Sequence, residues 1–276
     1  MDDAPEKYRA PALEKGLDII ELLANHGEGL TQGEVAKALD RSPSEIYRML
    51  STLVRRDYVI RSLSGDRYSL SLKMFSISQR HPPIGRVIES ALPRMRAITR
   101  ASWQSCHMGM ESNGDIVIVA SAESPGNWGL ALKTGTVVGL WNTGSGRVLA
   151  AFRPQSELED LIERHRPALG EPPFDREEFS DHIARIRSVG YEKMTSATAI
   201  GVTNIAFPVF DPGGRAAAVL SCPYLERVDD LKVPTLDEVT EMHGQLAQEL
   251  TRLHGGAPAN TGTLQTARDQ RAPSGG

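Results

Sequence analysis

Two helix starts lie close together near the beginning of the chain, and they restrict this region to a small helical unit. Thr31 is followed three residues later by Glu34, the spacing of a capping box in which the threonine hydroxyl accepts a hydrogen bond from the glutamate amide. Ser42-Pro43 predicts the next start, because serine is a preferred cap and proline is tolerated in the first helical turn. A tight turn at Asp40-Arg41 would join the two helices.

An amphipathic helix precedes these two helix starts, and a strand hairpin follows them. Apolar residues at spacings of three and four predict a helix over 12–26. Residues 58–61 and 67–70 are predicted as short strands, joined by a glycine-containing loop at 62–66. Three helices followed by a hairpin is the order of a winged helix-turn-helix, so we expect such a domain over 12–71.

The charge of this segment is opposite to that of the whole chain. The net charge of the chain is −4, which is unusual for a nucleic-acid binder. Residues 41–80 nevertheless carry eight basic and three acidic side chains, an excess of +5, whereas residues 81–254 carry 17 basic and 22 acidic ones, a net of −5. A local positive surface suits contact with phosphates. A solvated charged surface without a nucleic-acid partner would have the same composition.

The rest of the chain predicts a helical linker and a larger α+β domain. We expect the linker over 72–101, interrupted at His81-Pro82-Pro83, and the domain over 102–254. The strand-like runs are 105–111, 116–122, 130–133, 202–210 and 215–222, and the helix-like runs are 145–152, 156–166, 175–188 and 235–254. Asn113-Gly114 and residues 211–214 predict hairpin turns between neighbouring strands.

Several classes of protein are excluded by the composition. The chain has no apolar run of the roughly 18 residues that a membrane span needs, and its acidic, polar start does not resemble a secretory signal. Its two cysteines, Cys106 and Cys222, predict neither a disulfide framework nor a zinc site. We therefore expect a cytoplasmic protein without a metal or cofactor. Flexible ends are expected over 1–11 and over 255–276, the latter because its Gly, Ala, Pro, Thr and Ser residues bury little apolar surface.

The motifs of the chain do not favour an enzyme. Cys106 and His107 are adjacent, so on a strand their side chains point to opposite faces and do not form a nucleophile–base pair. The sequence contains no phosphate loop, no Gly-x-Ser-x-Gly and no metal-binding helix pair. We expect no catalytic residue.

The third predicted helix has a polar face that suits DNA. A recognition helix places short polar or forked side chains away from its core, starting at its N-terminus. We expect Arg48 to reach a guanine edge or a phosphate, and Arg61 and Arg67 to reach the backbone or the minor groove from the hairpin. The predicted contact residues are Thr31, Gln32, Arg41, Ser42, Ser44, Glu45, Tyr47, Arg48, Thr52, Arg61 and Arg67. A protein-interaction module built from the same helices and hairpin is the alternative.

These segments resemble the IclR family of bacterial transcription regulators. The matching positions are 12–23, 30–31, 34–39, 42, 44, 47–50 and 52–54 in the helices, 58–59 and 67–70 in the hairpin, and 143–151, 201 and 205–211 in the larger domain. Asp40 departs from the family, which usually has a turn glycine there, but aspartate enters the left-handed region more readily than most residues. Glu45 stands where a small hydroxyl residue is common; it would repel a phosphate and could accept from a cytosine amine.

The resemblance implies a C-terminal GAF-like effector-binding domain, with a curved antiparallel sheet flanked by helices and a small-molecule pocket on one sheet face. The family positions of the pocket correspond to 141–145, 195–197, Asn204, Ser221 and Pro223. The residues predicted to contact the effector are Trp128, Leu130, Trp141, Thr143, Gly144, Ser145, Ser196, Asn204, Ser221 and Pro223. A helix start at Thr143 would offer amides and hydroxyls to a carboxylate. Asn204 stands where the family often has cysteine, Trp141 replaces a frequent histidine, and residues 194–198 lack the acids that are frequent there. A flat aromatic surface and fewer acids favour an aromatic acid. Ordinary core packing is the alternative for Trp141 and Trp128.

The function implied by the resemblance is control of transcription by a small molecule. We expect a repressor of a catabolic operon that a small organic acid, an aromatic acid in particular, releases from double-stranded operator DNA. The operator would be pseudo-palindromic and the protein a dimer that pairs into a tetramer. Activation instead of repression remains open, as does a ligand-binding protein-interaction module that does not bind DNA.

Overall fold

The structure, a computed structural model, describes residues 10–80 and 82–257. The chain divides into two compact units between Gly85 and Arg86. Residues 1–9 and 258–276 of the predicted flexible ends, and His81 of the predicted interruption at 81–83, lie outside the described residues. No helix in the described part of the chain is both long and apolar enough to cross a membrane.

The first unit contains four helices and a small three-stranded sheet within its described residues. Its elements are α1 (Pro11–Ala24), β1 (Leu30–Thr31), α2 (Gln32–Ala38), α3 (Pro43–Arg55), β2 (Val59–Arg61), β3 (Arg67–Leu70) and α4 (Lys73–Gln79). The sheet is antiparallel in the order β1-β3-β2. The predicted first helix is shorter than expected, because it ends at Ala24 and not at residue 26, and β1 was not predicted.

Both predicted helix starts are confirmed. At α2 the Glu34 amide donates to Thr31 Oγ1 at 3.2 Å, and the Thr31 amide donates to Glu34 Oε2 at 2.7 Å. At α3 Ser42 is the N-cap and Pro43 begins the helix, with Glu45 completing a second capping box. Each box satisfies backbone amides that have no partner inside the helix.

The core of the first unit lies where α1, α2 and α3 meet the sheet. Its fully buried side chains are Ile19, Leu23, Val35, Ile46, Leu50 and Val59, with Tyr68 from β3 beside them. Lys15 Nζ on α1 contacts Glu45 Oε1 on α3 at 2.6 Å, which joins the first and third helices by charge as well as by apolar contact. The apolar faces of three helices therefore lie inward and leave the opposite face of α3 exposed.

The second unit is built around a six-stranded sheet. Its elements are α5 (Pro82–Ser102, within which the unit boundary falls), β4 (Cys106–Ser112), β5 (Asp115–Ala122), β6 (Val137–Val138), α6 (Gly144–Ala151), α7 (Gln155–Arg164), α8 (Arg176–Val189), β7 (Glu192–Thr195), β8 (Val202–Phe210), β9 (Ala216–Leu225) and α9 (Leu236–Leu253). All neighbouring strands pair antiparallel, in the order β6-β5-β4-β9-β8-β7.

The two faces of this sheet pack against different helices. One face meets α5 and α9 in a core that contains Met95, Met108, Leu220 and Leu250. The other face meets α6, α7 and α8 in a core of its own, and its deepest members include Ile118, Leu140, Leu161 and Ile186. The α+β prediction with an antiparallel sheet flanked by helices is confirmed.

One strand prediction in this unit is wrong, and two strands, β6 and β7, were missed. Residues 130–133 do not form a strand; the edge strand beside β5 is β6, which follows a turn at Gly135 (φ +88°). The predicted residues instead form part of a cavity wall described below. The strand β7 was missed because its sequence, Glu-Lys-Met-Thr, has no apolar alternation; pairing with β8 makes it a strand.

The first turn of α6 lies very close to the segment before it. A Cβ placed on Gly146 would stand 2.2 Å from the carbonyl oxygen of Leu140 and 2.5 Å from its Cα. The Gly146 amide donates to Thr143 Oγ1 at 3.1 Å, and the Thr143 hydroxyl donates to the Gly139 carbonyl at 2.6 Å. The chain therefore turns tightly around a helix start in which there is no room for a side chain at position 146.

We expect Gly146→Ala to destabilise the second unit by about 3 kcal/mol, the upper part of the usual range for overpacking, because the clash is with backbone that cannot rotate away. Gly16→Ala in α1 is the control: nothing lies within 4 Å of the new Cβ, so the change should stabilise its helix by about 0.5–1 kcal/mol. Chemical unfolding followed by circular dichroism measures both. If Gly146→Ala has the same free energy of unfolding as the wild-type protein, this close approach of the two backbone segments is not required.

Candidate DNA-reading surface and ligand cavity

The exposed face of α3 carries most of the predicted DNA-contact residues. Ser42, Ser44, Tyr47 and Arg48 are exposed, while Ile46 and Leu50 are fully buried on the opposite side. No carboxylate in the described residues lies within ion-pair distance of Arg48, so its guanidinium is free to reach outward. The helix start adds a positive dipole end to the same surface.

Glu45 is placed differently from its interpretation as a base-reading side chain. Its carboxylate is half-buried, bound by Lys15 Nζ at 2.6 Å and by the Ser42 hydroxyl at 3.0 Å. The Lys15 contact, followed by the Ser42 bonds, lowers the pKa of Glu45 to about 2. The charge is therefore neutralised within the domain, and the predicted acceptance from a cytosine amine is corrected to a role in holding α1 to α3.

The two arginines of the hairpin are partly used inside the first unit. Arg61 donates to the carbonyl of Gly65 across the loop, and its guanidinium lies 5.6 Å from the ring centre of Tyr68. Arg67 donates to the Gly29 carbonyl at 2.8 Å and lies 3.6 Å from Glu34. Both side chains remain exposed. They brace the hairpin and present positive charge at its edge.

The remaining predicted contact residues serve the local fold as well. Thr31 caps α2 as described, and Gln32 Nε2 donates to the Pro43 carbonyl at 2.9 Å, which ties α2 to the start of α3. The Thr52 hydroxyl donates to the Arg48 carbonyl at 3.1 Å within α3. Arg41 is exposed at the turn, where Asp40 adopts the expected left-handed conformation (φ +50°).

A cavity of about 370 Å³ lies in the second unit, between the sheet face that α6 covers and several loops. Its lining includes eight predicted pocket residues: Leu130, Thr143, Gly144, Ser145, Ser196, Asn204, Ser221 and Pro223. The other lining residues are His107, Leu132, Thr136, Val137, Val138, Gly139, Asn142, Ala168, Leu169, Thr198, Ala199 and Ala206. Among these described residues there is no lysine, arginine, aspartate or glutamate.

The N-terminal turn of α6 forms one wall of the cavity. Thr143 caps the helix, and Ser145 Oγ lies 2.9 Å from Ser221 Oγ on β9. A Cβ on Gly144 would lie 3.2 Å from that of Ala206, so the helix start touches the sheet directly. Amides at a helix start have no intrahelical partner and, with the helix dipole, favour an anion. In a cavity without charged side chains, this wall is the part whose chemistry best suits an anion.

Two lining residues, His107 and Asn142, carry unpartnered polar atoms, and only Asn142 lies in a stretch that the resemblance assigned to the pocket. His107 Nδ1 and Asn142 Oδ1 are buried and form no hydrogen bond. Burial lowers the pKa of His107 to about 4, so its ring is neutral at physiological pH. The sequence predicted that His107 and Cys106 point to opposite faces of the sheet. It did not reveal which of the two faces lines the cavity.

The two predicted pocket tryptophans do not line this cavity. The Trp141 ring packs 4.7 Å from Phe174 and 4.8 Å from His165, and its Nε1 donates to the Pro172 carbonyl at 2.8 Å. Trp128 is 73% exposed and lies beside Trp103 at a separate surface cavity of about 330 Å³. The core-packing alternative is the better description of Trp141, and neither residue supports the aromatic-ligand argument made for it.

The chain matches two family descriptions that together cover most of its length. Residues 12–62 match the IclR helix-turn-helix domain, and residues 85–252 match the bacterial transcriptional regulator IclR C-terminal domain. The described residues contain no group of His, Cys, Asp and Glu side chains arranged to hold a metal ion.

Two named relatives agree with these family matches. The chain is 28% identical over 210 residues to the HTH-type transcriptional regulator KdgR of Escherichia coli, covering 75% of this chain and 79% of that protein. It is 24% identical over 231 residues to the DNA-binding transcriptional repressor YiaJ of the same organism, covering 79% and 80%.

The fold also matches a solved structure: an IclR homolog from Microbacterium hydrocarbonoxydans complexed with 4-hydroxybenzoate has a TM-score of 0.73 at 16% identity, covering 88% of this chain and 99% of that one. The relatives are regulators and not enzymes, which confirms the expectation that the chain is not an enzyme. The chain belongs to the IclR family of bacterial transcriptional regulators and is a ligand-responsive, DNA-binding regulator of this type.

Proposed function

We propose that this regulator is a repressor that a small organic acid, preferably an aromatic one, releases from its operator. The observation that carries the proposal is the first turn of α6 in the wall of a cavity without charged side chains. An acid bound there would meet helix amides and the hydroxyl of Ser145, which together stabilise a negative charge without a cationic side chain.

The size and apolar walls of the cavity support an aromatic acid. A volume of about 370 Å³ is near the small end of ligand pockets in proteins, which run from roughly 300 to 1,000 Å³. Leu130, Leu132 and Val137 supply apolar surface around the polar helix start. The solved homolog that carries 4-hydroxybenzoate is a precedent for such a ligand in this fold.

The proposed DNA surface consists of the exposed face of α3 and the hairpin. Arg48 would read a base edge or hold a phosphate from the middle of α3, while Arg41, Ser42 and Ser44 would contact the backbone at its start. Arg61 and Arg67 would reach the backbone or minor groove from the hairpin. We propose that pairs of such heads bind a pseudo-palindromic operator, as dimers that assemble into tetramers.

Repression is proposed over activation because the relative YiaJ is named as a repressor. Release from DNA needs a coupling between the two binding events of about 1–3 kcal/mol, which changes DNA affinity roughly 5–150-fold. Transcription is measured from a promoter that the protein binds, with and without the protein. A lower rate with the protein indicates repression, and a higher rate indicates activation. A protein-interaction module without DNA binding would fail to retard any genomic fragment in a band-shift assay.

A thermal-shift screen of aromatic and short aliphatic acids against the full chain tests the ligand class. An acid that raises the melting temperature and also releases the protein from its selected DNA fragment supports the proposal. Acids that bind without affecting the DNA complex, or a panel in which only neutral or cationic compounds bind, would contradict it.

We expect Arg48→Ala to lose about 1–3 kcal/mol of specific DNA affinity and to relax the choice of sequence, because a forked contact to a base edge is removed. The matched control is Arg55→Ala, which removes an exposed arginine from the far end of the same helix and should lower affinity for all sequences alike. Fluorescence anisotropy on the selected fragment and on a scrambled one gives both values. Wild-type discrimination in Arg48→Ala would contradict the placement of α3 in the groove.

Operator affinity should fall steeply as salt rises, because each phosphate neutralised by Lys or Arg releases counterions and adds about 0.9 to the slope of log affinity against log salt. Arg41→Ala should reduce that slope by about 1 if it contacts a phosphate. Binding is measured between low and physiological salt. An affinity that does not change with salt would show that the positive charge of the first unit does not contribute to DNA binding.

Asn204→Leu and Ser221→Leu should abolish release by the effector while leaving DNA binding intact, since each adds volume to the cavity wall and removes a polar group. A lost neutral hydrogen bond costs about 0.5–1.5 kcal/mol and a bond to a carboxylate about 1.5–3 kcal/mol. Thr203→Val, which alters the neighbouring residue on the other face of β8, is the control and should keep the response. Melting temperatures identify any variant that unfolds. A folded Asn204→Leu protein with a normal response would place the ligand elsewhere.

A further inference from the structure

A buried ion pair lies directly behind the cavity wall. His165 Nε2 lies 2.8 Å from Glu171 Oε2, and both side chains are 0% exposed. The other ring nitrogen of His165, Nδ1, lies 2.8 Å from the carbonyl oxygen of Gly114, in the turn between β4 and β5. Both nitrogens of the imidazole therefore face oxygen atoms that accept hydrogen bonds.

These contacts fix the charge of the pair. A neutral imidazole has one N–H and donates to one acceptor only, whereas an imidazolium donates from both nitrogens. Glu171 also accepts from the Ala168 amide at 2.9 Å and from the Trp141 amide at 3.1 Å. Because several donors stabilise the ionised form of a carboxyl group, the geometry favours a charged carboxylate beside a charged imidazolium.

The surroundings of the pair support the same charges. Burial by itself lowers the pKa of His165, but the hydrogen bonds to Glu171 and Gly114 and the negative charges of Glu171 and Asp115 outweigh burial and raise that pKa above its ordinary value. Burial by itself raises the pKa of Glu171, but the hydrogen bond from His165 and those from two amides outweigh it, so this pKa is lowered. The Trp141 ring, 4.8 Å from the imidazole, adds no charge.

Glu171 joins the two segments that form one side of the cavity wall. Its Oε2 accepts from Ala168 and its Oε1 from Trp141, in the segment before α6. A Cβ on Gly139 would lie 2.7 Å from Glu171 Oε1, so this segment packs directly on the carboxylate. Ala168 and Gly139 line the cavity, whereas His165 and Glu171 do not, so the ion pair acts on the cavity through these two segments.

We propose that the His165–Glu171 ion pair positions the cavity wall, and that loss of the His165 proton in alkaline solution releases residues 139–142 and 166–170. A neutral His165 leaves one of its two acceptors without a donor and leaves the charge of Glu171 buried without its partner, and both changes are unfavourable. The inference rests on the proposed function, in which this cavity is the effector site.

The direction of the pH effect follows from the two pKa shifts. The contribution of His165 is complete below its ordinary pKa of 6.5 and is lost as the pH rises through its raised pKa. The contribution of Glu171 is complete above its ordinary pKa of 4.5 and is lost as the pH falls through its lowered pKa. The wall is therefore held firmly near neutral pH and is released on the alkaline side by His165 alone.

Hydrogen–deuterium exchange of the full-length protein between pH 6 and pH 9, corrected for the intrinsic effect of pH on amide exchange, tests the release. Peptides that contain the Trp141 and Ala168 amides should lose protection roughly ten- to a hundredfold as the pH rises, as expected for loss of a hydrogen bond to a charged group. The buried Phe210 amide, which donates to the Thr251 hydroxyl at 3.1 Å, is the internal control and should keep its protection. Unchanged protection of the first two peptides, or equal loss at Phe210, contradicts the proposal.

Tryptophan emission reports the proton itself, because the Trp141 ring contacts the His165 ring. The emission of the wild-type protein should titrate with a midpoint above 6.5 that coincides with the loss of amide protection. This titration should be absent in His165→Gln. A midpoint at or below 6.5 would show that the imidazole is not held in its charged form, which overturns the proposal.

Two substitutions remove one charge each. His165→Gln and Glu171→Gln should reduce the protection of the Trp141 and Ala168 peptides about tenfold or more at pH 6, and His165→Gln should also remove its dependence on pH. His182→Gln is the matched control, because His182 forms an exposed pair with Glu178 at 3.2 Å and should leave both peptides unchanged. Wild-type protection in His165→Gln, or an equal effect of His182→Gln, contradicts the proposal. If a substituted protein does not fold, the two wild-type titrations decide.

These measurements use no effector, so their outcome is distinct from that of the proposed function. A wall that does not respond to pH overturns the inference and leaves the acid effector in place. A wall that responds to pH in a protein that binds no acid supports the inference and contradicts the proposed function.

Discussion

The first turn of α6 reaches the sheet because two of its residues have no side chain. A Cβ on Gly144 would lie 3.2 Å from the Cβ of Ala206, and one on Gly146 would lie 2.2 Å from the Leu140 carbonyl oxygen. Any other residue at position 146 would move the helix away and carry its amides out of the cavity wall. The electrostatic character of the cavity, positive without a cationic side chain, therefore depends on close packing of backbone against backbone.

Charge has a different use in the first unit. Lys15 and Ser42 hold the carboxylate of Glu45 against α1, so the acid that interrupts the basic surface is neutralised within the fold. The same contacts fix the start of α3, whose exposed face carries Arg48. Capping, helix packing and surface charge are in this way parts of one small network.

Local chemistry explains what could be predicted from the sequence. The starts of α2 and α3 depend on residues three positions apart, and the turn at Asn113 (φ +53°) and Gly114 (φ +92°) needs only its own two residues. The strands that were predicted wrongly or missed depend on pairing with residues that are distant in the sequence. Residues 130–133 were predicted as a strand, but β6 takes the place beside β5, and the polar β7 is a strand only because β8 pairs with it.

The predictions for the candidate site also divide into those that follow from local motifs and those that depend on distant contacts. The resemblance supplied Thr143, Ser145 and Asn204, because their positions follow motifs, whereas it also supplied Trp141, whose ring packs against Phe174 and His165. Neither the cavity position of His107 nor the contact between Lys15 and Glu45, 30 residues apart, could be read from neighbours in the sequence. To predict either one, it is necessary to know which faces of the helices and strands pack together.

Cavity residues and core residues alternate along the central strands. On β4 His107 lies in the cavity wall between Cys106 and Met108, which belong to the opposite core, and on β9 Ser221 lies in the same way between Leu220 and Cys222. Evolution can thus exchange every second residue and alter the preferred molecule, while the interleaved residues keep the domain folded. A duplicated copy of such a gene could acquire a new signal through a few point mutations without passing through an unstable intermediate.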